Sequence, residues 1–591
     1  MTEPAAKAAP SANRAWLRAL ERTARLDKQP HHLLAHAVEA WAEVQPQAPA
    51  LLSEAASLTY ADLAARARRY ARWALAQGLA KGEVVALMAP GGPDYVAAWL
   101  GLSRVGVIVA LINTNLRSAA LAHCLAAARP RAVIADPALV EAATEASAEI
   151  DPAPRLWIQG VDGDLEPALA AAGDEAFDPA ALPAVSLADP ALLIYTSGTT
   201  GLPKAARVSH HRIMSWGGWF AGLMDASPAD RLYDCLPMYH SVGGVAAVGA
   251  MLAAGGSVAV REKFSASRFW DDVSRWDCTV IQYIGELARY LLAAPPHAAE
   301  RAHRLRLACG NGLSGDVWSA FKDRFNLPQI LEFYAATEGV FSLYNVEGEP
   351  GAIGRIPGFM AHRFPAALVE FDTETGRPAR GPDGFCRRVA QGQAGEAVGR
   401  IGAGGDPAHR FEGYTAKADS EAKILRDVFE PGDAWLRTGD LMRQDARGFF
   451  YFVDRVGDTF RWKGENVAAA EVAQTLAAAP GVAAAAVFGV EIPGADGKAG
   501  MAAVTPGAGF DLAVLHAHLA AALPAYARPL VLRLVADLPM TETFKQKKAE
   551  LAREGYDPAQ VTDPLYLLRA EGYVALDASL RGELMDGHLR L

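Results

Sequence analysis

The sequence predicts an α/β fold in which a large domain of mainly parallel sheets precedes a small α+β domain. The chain has 591 residues, which is more than a single hydrophobic core accommodates. Through its first part, short apolar runs alternate with helical segments, the pattern of parallel strands covered by helices on both faces. From about residue 457 the pattern changes to shorter strands and helices. We therefore place a domain boundary between Val456 and Gly457.

The elements of the first domain follow in order. Residues 14–26 predict an amphipathic helix, which we expect to pack on the domain because it is short and Glu21 dilutes its positive charge. A helix lying on a membrane surface is the alternative. Residues 235–260 carry no formal charge and are long enough to span a bilayer, but their proline and glycine pairs predict a loop, a buried helix and a strand. Further strands are expected at residues 84–88, 107–111, 131–135 and 191–195, and helices at 60–77, 95–105 and 210–224.

The composition argues against several classes of protein. The net charge is −10 and no long basic stripe is visible, so a nucleic-acid binder is not expected. The five cysteines are scattered without a C-x-x-C pair, which fits a reducing compartment and not a cysteine-based zinc site. The first residues are polar, so no signal peptide is expected. These features favour a cytoplasmic enzyme.

A polar loop follows the strand-like run at residues 191–195. The loop is rich in hydroxyl groups and glycine, and glycine lets the chain curl so that its amides point inward. Such a curl with one lysine suits a polyphosphate, whereas the alternative is a flexible surface turn. The spacing is not that of a Walker A loop. The predicted phosphate-binding residues are Thr196, Ser197, Gly198, Thr199, Thr200, Gly201 and Lys204.

A second glycine motif lies at residues 310–315, where the chain reads G-x-G-x-x-G. It follows a strand-like run and precedes a helix, and Glu332 lies about twenty residues further on, as a dinucleotide-binding fingerprint requires. A nicotinamide or flavin site is therefore one interpretation. A different nucleotide-binding loop is the other.

Two further polar segments end predicted strands. In the first, Tyr334 suits stacking on a base, Thr337 suits a phosphate contact, and Glu338 suits Mg²⁺, which takes oxygen ligands and shares phosphate oxygens. A polar loop at a strand end is the alternative. In the second, Asp440 precedes an apolar hairpin and is suited to accept hydrogen bonds from ribose hydroxyls.

Taken together, these segments resemble the motifs of the acyl-adenylating superfamily, which contains acyl-CoA synthetases, peptide-synthetase adenylation domains and luciferases. The local sequences LINTNLR, ILRDVF, GDTFRWKGENV and TFKQKK are most similar to the branch of very-long-chain acyl-CoA synthetases and fatty acid transport proteins. The resemblance covers residues 33–556. The matching motifs are, in order, YTSGTTGLPK at 195–204, LPMYH at 236–240, GNGLSG at 310–315, YAATEG at 334–339, RTGD at 437–440, DRVGD at 454–458, KGEN at 463–466 and the segment ending at Lys545.

The resemblance implies an arm at residues 1–30, an adenylating domain at 31–456 that includes a distorted β-barrel-like part, and a mobile domain at 457–591. It assigns the 310–315 loop to the adenine pocket and argues against the dinucleotide interpretation. The implied catalytic residues are Lys545, Thr337, Glu338 and His240, with Glu338 also the metal ligand. The implied ATP and AMP contacts are the phosphate-binding residues above together with Gly310, Asn311, Gly312, Tyr334, Ala335, Thr337, Asp440 and Arg455, and the implied CoA contacts are Gly464 and Glu465.

The implied reaction joins a fatty acid to CoA through an acyl-AMP intermediate, with ATP, Mg²⁺ and CoA as cofactors or co-substrates. Other acids, loading of a carrier protein, and a fatty-acid uptake component with secondary catalysis are the alternatives. The implied location is cytoplasmic, with peripheral contact at the inner membrane face left open. Two departures from the family pattern stand out: Gly457 replaces a frequent hinge Asp, and Phe544 stands where a Gly often precedes the lysine.

Overall fold

A computed structural model describes the chain in several ranges. The chain forms two compact units. The first comprises Met1–Phe364 and Arg400–Ile424, and the second comprises Pro365–Gly399 and Leu425–Leu591. We describe each unit by itself. The described residues are 11–178, 182–197, 203–372, 375–402, 410–463, 465–493, 497–541, 546–585 and 589.

The first unit contains strands β1–β15 and helices α1–α13. The strands are β1 Pro49–Leu52, β2 Ser57–Thr59, β3 Val84–Met88, β4 Ile108–Leu111, β5 Ala132–Ala135, β6 Arg155–Ile158, β7 Pro190–Ser197, β8 Pro203–Ser209, β9 Arg231–Asp234, β10 Ser257–Val260, β11 Val280–Ile284, β12 Leu307–Asn311, β13 Ile330–Ala335, β14 Ser342–Asn345 and β15 Gly354–Arg355. The helices are α1 Ala12–Thr23, α2 Leu34–Val44, α3 Tyr60–Ala76, α4 Pro93–Arg104, α5 Ser118–Ala128, α6 Val140–Ala148, α7 Leu165–Ala172, α8 His210–Leu223, α9 Val248–Ala254, α10 Phe269–Arg275, α11 Gly285–Ala293, α12 Gly315–Arg324 and α13 Lys417–Lys423.

Two mainly parallel sheets organise this unit. The strand order of one is β6-β5-β3-β4-β7-β8, and only β8 runs antiparallel to its neighbour. The order of the other is β14-β13-β12-β11-β9-β10-β1-β2, where β14 and β2 are the antiparallel edge strands. Their central strands are buried apolar runs, as parallel strands covered on both faces require. The predicted α/β class is confirmed.

The helix predicted at residues 14–26 is shorter and packs on the unit. It ends at Thr23, and Trp16 is buried against the rings of Trp219 and Tyr344. Arg22 donates to the carbonyl of Ala226 at 2.9 Å. Leu17 on the same helix is 52% exposed. The structure therefore agrees with the interpretation of a packed helix.

The uncharged stretch at residues 235–260 divides as predicted into a loop, a buried helix and a strand. The helix is longer than expected, because a π-helical segment, Ser241–Ala247, leads directly into α9. A Cβ atom at Gly244 would lie 1.6 Å from the carbonyl oxygen of Met238, so the tight entry to this helix requires glycine. Within the described part of the chain, we find no helix with both the length and the apolar character needed to cross a membrane.

The second unit contains an antiparallel sheet and a smaller α+β core. In the sheet, β16 pairs with β19 and β21 pairs with β22, and this part corresponds to the predicted barrel-like region. The core sheet has the order β25-β26-β27-β28-β29. The strands are β16 Ala366–Val369, β17 Phe371–Asp372, β18 Arg377–Pro378, β19 Ala394–Arg400, β20 Ile424–Arg426, β21 Ala434–Gln444, β22 Phe449–Arg455, β23 Phe460–Trp462, β24 Glu465–Val467, β25 Val482–Glu491, β26 Lys498–Pro506, β27 Val531–Leu534, β28 Leu565–Arg569 and β29 Gly572–Ala575, and the helices are α14 Ala469–Ala477, α15 Leu512–Ala522, α16 Lys548–Glu554 and α17 Ala578–Met585.

The first residue of α8 predicts a pH dependence of stability. His210 is 3% exposed, and burial lowers the pKa of its imidazole to about 4. The unfolded chain binds this proton at a higher pH than the folded chain, so stability is lost as the pH falls from 6.5 towards 4. The lowered pKa of His210 contributes ~3 kcal/mol to the free energy of unfolding at neutral pH. We expect calorimetry to show that His210→Gln weakens the fall in unfolding temperature over this range, whereas His362→Gln, at an exposed position, leaves it unchanged. An equal fall in wild type and His210→Gln would contradict the prediction.

Candidate nucleotide-binding and active site

Most of the predicted site residues in the first unit lie at the carboxyl ends of parallel strands. Strand β7 ends at Ser197, β12 ends at Asn311 and β13 ends at Ala335, three residues before Glu338. This edge is where open α/β sheets bind ligands, because the loops that follow the strands project from it.

The two ends of the predicted phosphate loop lie on neighbouring strands. Thr196 pairs with Lys204 and Ser197 pairs with Pro203 between the antiparallel strands β7 and β8. The sequence placed these residues in the loop itself, so β7 is longer than predicted, and β8 was not predicted at all. The Lys204 ammonium lies 2.9 Å from a carboxylate oxygen of Asp419 in α13, and its side chain is 15% exposed. Asp419 therefore holds Lys204 at the start of β8.

Thr337 is held from two sides. Its hydroxyl lies 3.0 Å from the hydroxyl of Ser241, the residue directly after His240. Its carbonyl accepts a hydrogen bond from Arg212 at 2.7 Å, and Arg212 is buried at the start of α8. The contact with Ser241 joins Thr337, a predicted phosphate contact, to the segment that carries His240.

Glu338 is also nearly buried. Its carboxylate accepts a hydrogen bond of 2.6 Å from the phenol of Tyr414, and the Lys423 ammonium lies 3.9 Å from the same oxygen. The backbone of Tyr414 pairs with Ala206 of β8, the strand next to β7. Tyr414 thus connects Glu338, which follows β13, to the edge strand of the other sheet.

The donor set around Glu338 fits Mg²⁺. Among the described residues, no group of three or more His, Cys, Asp and Glu side chains is arranged to hold a metal. Mg²⁺ is commonly bound through one or two carboxylates together with phosphate oxygens of the substrate. A single carboxylate three residues after β13, at the edge where the parallel strands end, is an arrangement that a metal–nucleotide complex can use.

The loop at residues 310–315 packs closely on the neighbouring strand. A Cβ atom at Gly310 would lie 2.2 Å from the carbonyl oxygen of Tyr283 in β11, which explains the first glycine. Gly312 has a φ of +91°, a value that favours glycine. Asn311 is the last residue of β12 and is partly buried. These features support a loop that brings its backbone close to a ligand.

Glu332 does not occupy the position that the dinucleotide interpretation required. It is 4% exposed, and its carboxylate accepts hydrogen bonds from the amides of Gly312 and Leu313 and from the hydroxyl of Tyr283. Burial raises the pKa of Glu332 to about 8, against the effect of these three donors. The acid therefore supports the loop from inside the protein and is not presented to a ribose.

Two aromatic side chains of this unit, Tyr334 and His240, were predicted to contact a ligand, and both are partly exposed. Tyr334 is partly exposed, and its ring centroid lies 5.9 Å from that of Phe341. Ala335 follows it as the last residue of β13. His240 precedes the π-helical segment, and its ring centroid lies 4.6 Å from that of Tyr239. Partial exposure leaves both Tyr334 and His240 accessible to a ligand.

In the second unit, the structure brings the two predicted ribose residues together. Asp440 and Arg455 face each other across β21 and β22, and the Arg455 Nε atom lies 3.7 Å from the Asp440 carboxylate. Glu465 is exposed at the start of β24, opposite Trp462. The remaining predicted residues lie outside the described part of the chain; they are Gly198, Thr199, Thr200, Gly201, Gly464 and Lys545.

Sequence reasoning missed five residues that contact a predicted site residue among those described. They are Arg212, Ser241, Tyr414, Asp419 and Lys423. Ser241 lies directly after the LPMYH motif, so its position was a usable signal. Tyr414 and Asp419 lie in a segment without recognisable chemistry, and only the tertiary structure brings them to the site.

Comparison with known proteins assigns the family. A family model described as AMP-binding enzyme matches residues 38–396, and a second, described as AMP-binding enzyme C-terminal domain, matches residues 471–545. The first model alone covers more than half of the chain. The chain belongs to the AMP-binding enzyme family. This result confirms the superfamily that the motifs predicted.

The similarity to individual proteins extends over most of the chain. The chain is 40% identical over 568 residues to long-chain fatty acid transport protein 1 of Mus musculus, covering 94% of this chain and 87% of that protein. It is 40% identical over 538 residues to a medium/long-chain-fatty-acid–CoA ligase of Mycobacterium tuberculosis, covering 90% and 87%. Among solved structures, ATP-bound MatB from Rhodopseudomonas palustris matches with a TM-score of 0.73 and 26% identity, covering 87% of this chain and 98% of that one. The predicted branch of the superfamily is thereby confirmed.

Proposed function

We propose that this protein is an ATP-dependent acyl-CoA ligase that converts a long- or very-long-chain fatty acid to its acyl-CoA thioester. The observation that carries the proposal is the position of Tyr414, whose backbone pairs with Ala206 of β8 and whose phenol donates to Glu338. It unites the phosphate-loop strand with the predicted metal carboxylate in one polar region. Membership of the AMP-binding family provides independent support for a nucleotide in that region.

The first half-reaction activates the acid. A carboxylate oxygen of the fatty acid attacks the α-phosphorus of ATP, the bond from that phosphorus to the bridging oxygen breaks, and pyrophosphate leaves. Because a carboxylate is a poor electrophile, this step precedes attack by a thiol. When bound, Mg²⁺ neutralises charge on the phosphates. We assign Thr337 to the α-phosphate and Glu338 to the metal.

The other residues of the nucleotide site orient ATP. The hydroxyls of Thr196 and Ser197, the loop at residues 198–201 and Lys204 are assigned to the β- and γ-phosphates, where charge neutralisation and positioning are the main contributions to catalysis. We assign Tyr334 to the adenine ring, with Ala335 and the loop at residues 310–312 around it. Asp440 and Arg455 are assigned to the ribose.

The second half-reaction forms the thioester. The sulfur of CoA attacks the acyl carbonyl carbon, the bond to the AMP oxygen breaks, and AMP leaves. We assign Lys545 to the first half-reaction and the segment around Gly464 and Glu465 to the second, with rotation of the domain at residues 457–591 relative to that at 31–456 between them. His240 is assigned to the entrance of the acyl pocket.

The fatty acid substrate is supported by the proteins that the chain resembles. The name of the transport protein above specifies long-chain fatty acids, and the name of the ligase specifies medium- and long-chain fatty acids. We extend that class to this chain as part of the proposal. The cytoplasm is the proposed location, because ATP and CoA are available there and all five cysteines are free thiols.

A screen of AMP release tests the proposal. We expect AMP to form only when both CoA and a fatty acid are present, with the highest rates for long or very long chains. The same screen includes short-chain, bile and aryl acids, and a carrier protein in place of CoA. Preference for one of these acids or for the carrier protein would contradict the proposed substrate. Fatty-acid binding without AMP release would contradict the proposed reaction and favour an uptake component.

A further inference from the structure

The segment from Gly413 to Thr415 lies against the middle of β8. The amide of Thr415 donates to the carbonyl of Ala205 at 2.9 Å, and the amide of Arg207 donates to the carbonyl of Gly413 at 3.0 Å. The amide of Tyr414 donates to the hydroxyl of Ser420 at 2.8 Å. Backbone and side-chain contacts on both sides thus fix the position of Tyr414.

The phenol of Tyr414 holds the Glu338 carboxylate in a defined direction. It donates to one carboxylate oxygen of Glu338 at 2.6 Å. Tyr414 is 2% exposed and Glu338 is 9% exposed, so the contact is shielded from water, which strengthens a hydrogen bond to a charged group.

We propose that Tyr414 is a positioning residue that orients the Glu338 carboxylate towards the divalent cation of the bound nucleotide. The proposal rests on the function proposed above. The Lys423 ammonium is 3.9 Å from the same carboxylate oxygen. Without the phenol, the nearest opposite charge attracts the carboxylate towards Lys423, and the orientation that suits a cation is lost. Tyr414 itself contacts Glu338 and does not ligate the metal.

Removal of the hydroxyl tests this role without removing the ring. Contacts that orient a metal ligand commonly contribute ~10-fold or more to metal affinity. We therefore expect Tyr414→Phe to weaken Mn²⁺ binding ~10-fold in the presence of α,β-methylene-ATP, a nucleotide that cannot be cleaved at the reacting bond. Electron paramagnetic resonance of free Mn²⁺ measures this affinity directly. Nucleotide binding in EDTA should change less than ~2-fold, since the phenol is assigned to the carboxylate alone.

A matched control separates this effect from the general loss of a buried hydrogen bond. Tyr60 is also fully buried, and its hydroxyl donates to the carbonyl of Gly256 at 2.7 Å. Tyr60→Phe should leave Mn²⁺ affinity unchanged. Ser420→Ala, which removes the hydroxyl that accepts from the Tyr414 amide, should weaken Mn²⁺ binding in the same direction and to a smaller extent. It provides the readout if Tyr414→Phe does not fold.

The outcomes distinguish this inference from the function on which it rests. Unchanged Mn²⁺ affinity in Tyr414→Phe, with binding lost in Glu338→Gln, overturns the role of Tyr414 alone. Equal weakening of nucleotide binding in EDTA overturns it as well, because the residue then acts on the whole site. Unchanged Mn²⁺ affinity in Glu338→Gln overturns both this inference and the proposed metal assignment.

Discussion

Lys545→Ala should abolish the release of pyrophosphate from ATP and fatty acid while preserving the conversion of supplied acyl-AMP to acyl-CoA. The reason is that Lys545 is assigned to the negative charge that develops as the acyl–phosphate bond forms, and that bond is already present in acyl-AMP. Removal of one group that stabilises a transition-state charge costs ~10²- to 10³-fold in rate. Pyrophosphate release and acyl-CoA formation are measured separately, each under single-turnover conditions.

Lys547→Ala is the matched control for this prediction. Lys547 is two residues away, and its ammonium lies 3.4 Å from Glu550 on the exposed start of α16. The family pattern counts from Pro539 to Lys545 and does not include Lys547. We expect this variant to perform both half-reactions at the wild-type rate. Equal loss of both half-reactions in Lys545→Ala, or a larger loss of adenylation in Lys547→Ala, would disprove the assignment.

Gly457→Pro should slow thioester formation much more than adenylation. Gly457 lies in the turn between Arg455, the end of β22, and Phe460, the start of β23. Proline fixes its own φ near −65° and restricts the conformation of Val456. Since the proposed rotation of the C-terminal domain needs backbone freedom here, we expect the second half-reaction to fall by ~10-fold or more. Rapid-quench measurement of acyl-AMP and acyl-CoA resolves the two steps.

Gly457→Ala tests whether freedom at this turn, and not the glycine itself, is required. A Cβ atom at this position would meet no atom within 4 Å, and the residue is not among the glycines with positive φ. Alanine therefore fits the turn as it stands. We expect it to have a smaller effect on thioester formation than proline. If Gly457→Pro formed the thioester as fast as the acyl-adenylate, the hinge assignment would be wrong.

Local patterns predicted several central elements of the first unit. The strand at Val84–Met88 was predicted with the bounds that it has in the structure, because a short apolar run between polar turns has few alternatives in an α/β chain. The end of β7 was predicted less well, and β8 was not predicted. Thr196 and Lys204 pair across these strands. Such pairing depends on the adjacent strand more than on the intrinsic β-propensity of either residue.

The glycine loop at residues 310–315 illustrates a motif that local sequence left ambiguous. Its spacing and the position of Glu332 agreed with a dinucleotide site, and the resemblance to the acyl-adenylating family argued against that interpretation. The structure supplies the physical reason. The Glu332 carboxylate is turned inward to the amides of Gly312 and Leu313, where burial of an acid requires such donors.

The sequence by itself determined the fold class, the family and the chemical groups of the candidate site. These depend on local motifs that follow one another in a fixed order, such as the YAATEG segment with Thr337 and Glu338. Such motifs can be recognised without knowledge of tertiary contacts. Only the tertiary structure decided what holds those groups. Tyr414 lies 76 residues from Glu338 in the chain, and Asp419 is far in sequence from Lys204. A hydrogen bond or an ion pair between distant residues depends on where the sheets bring them, and no local pattern of residues encodes that distance.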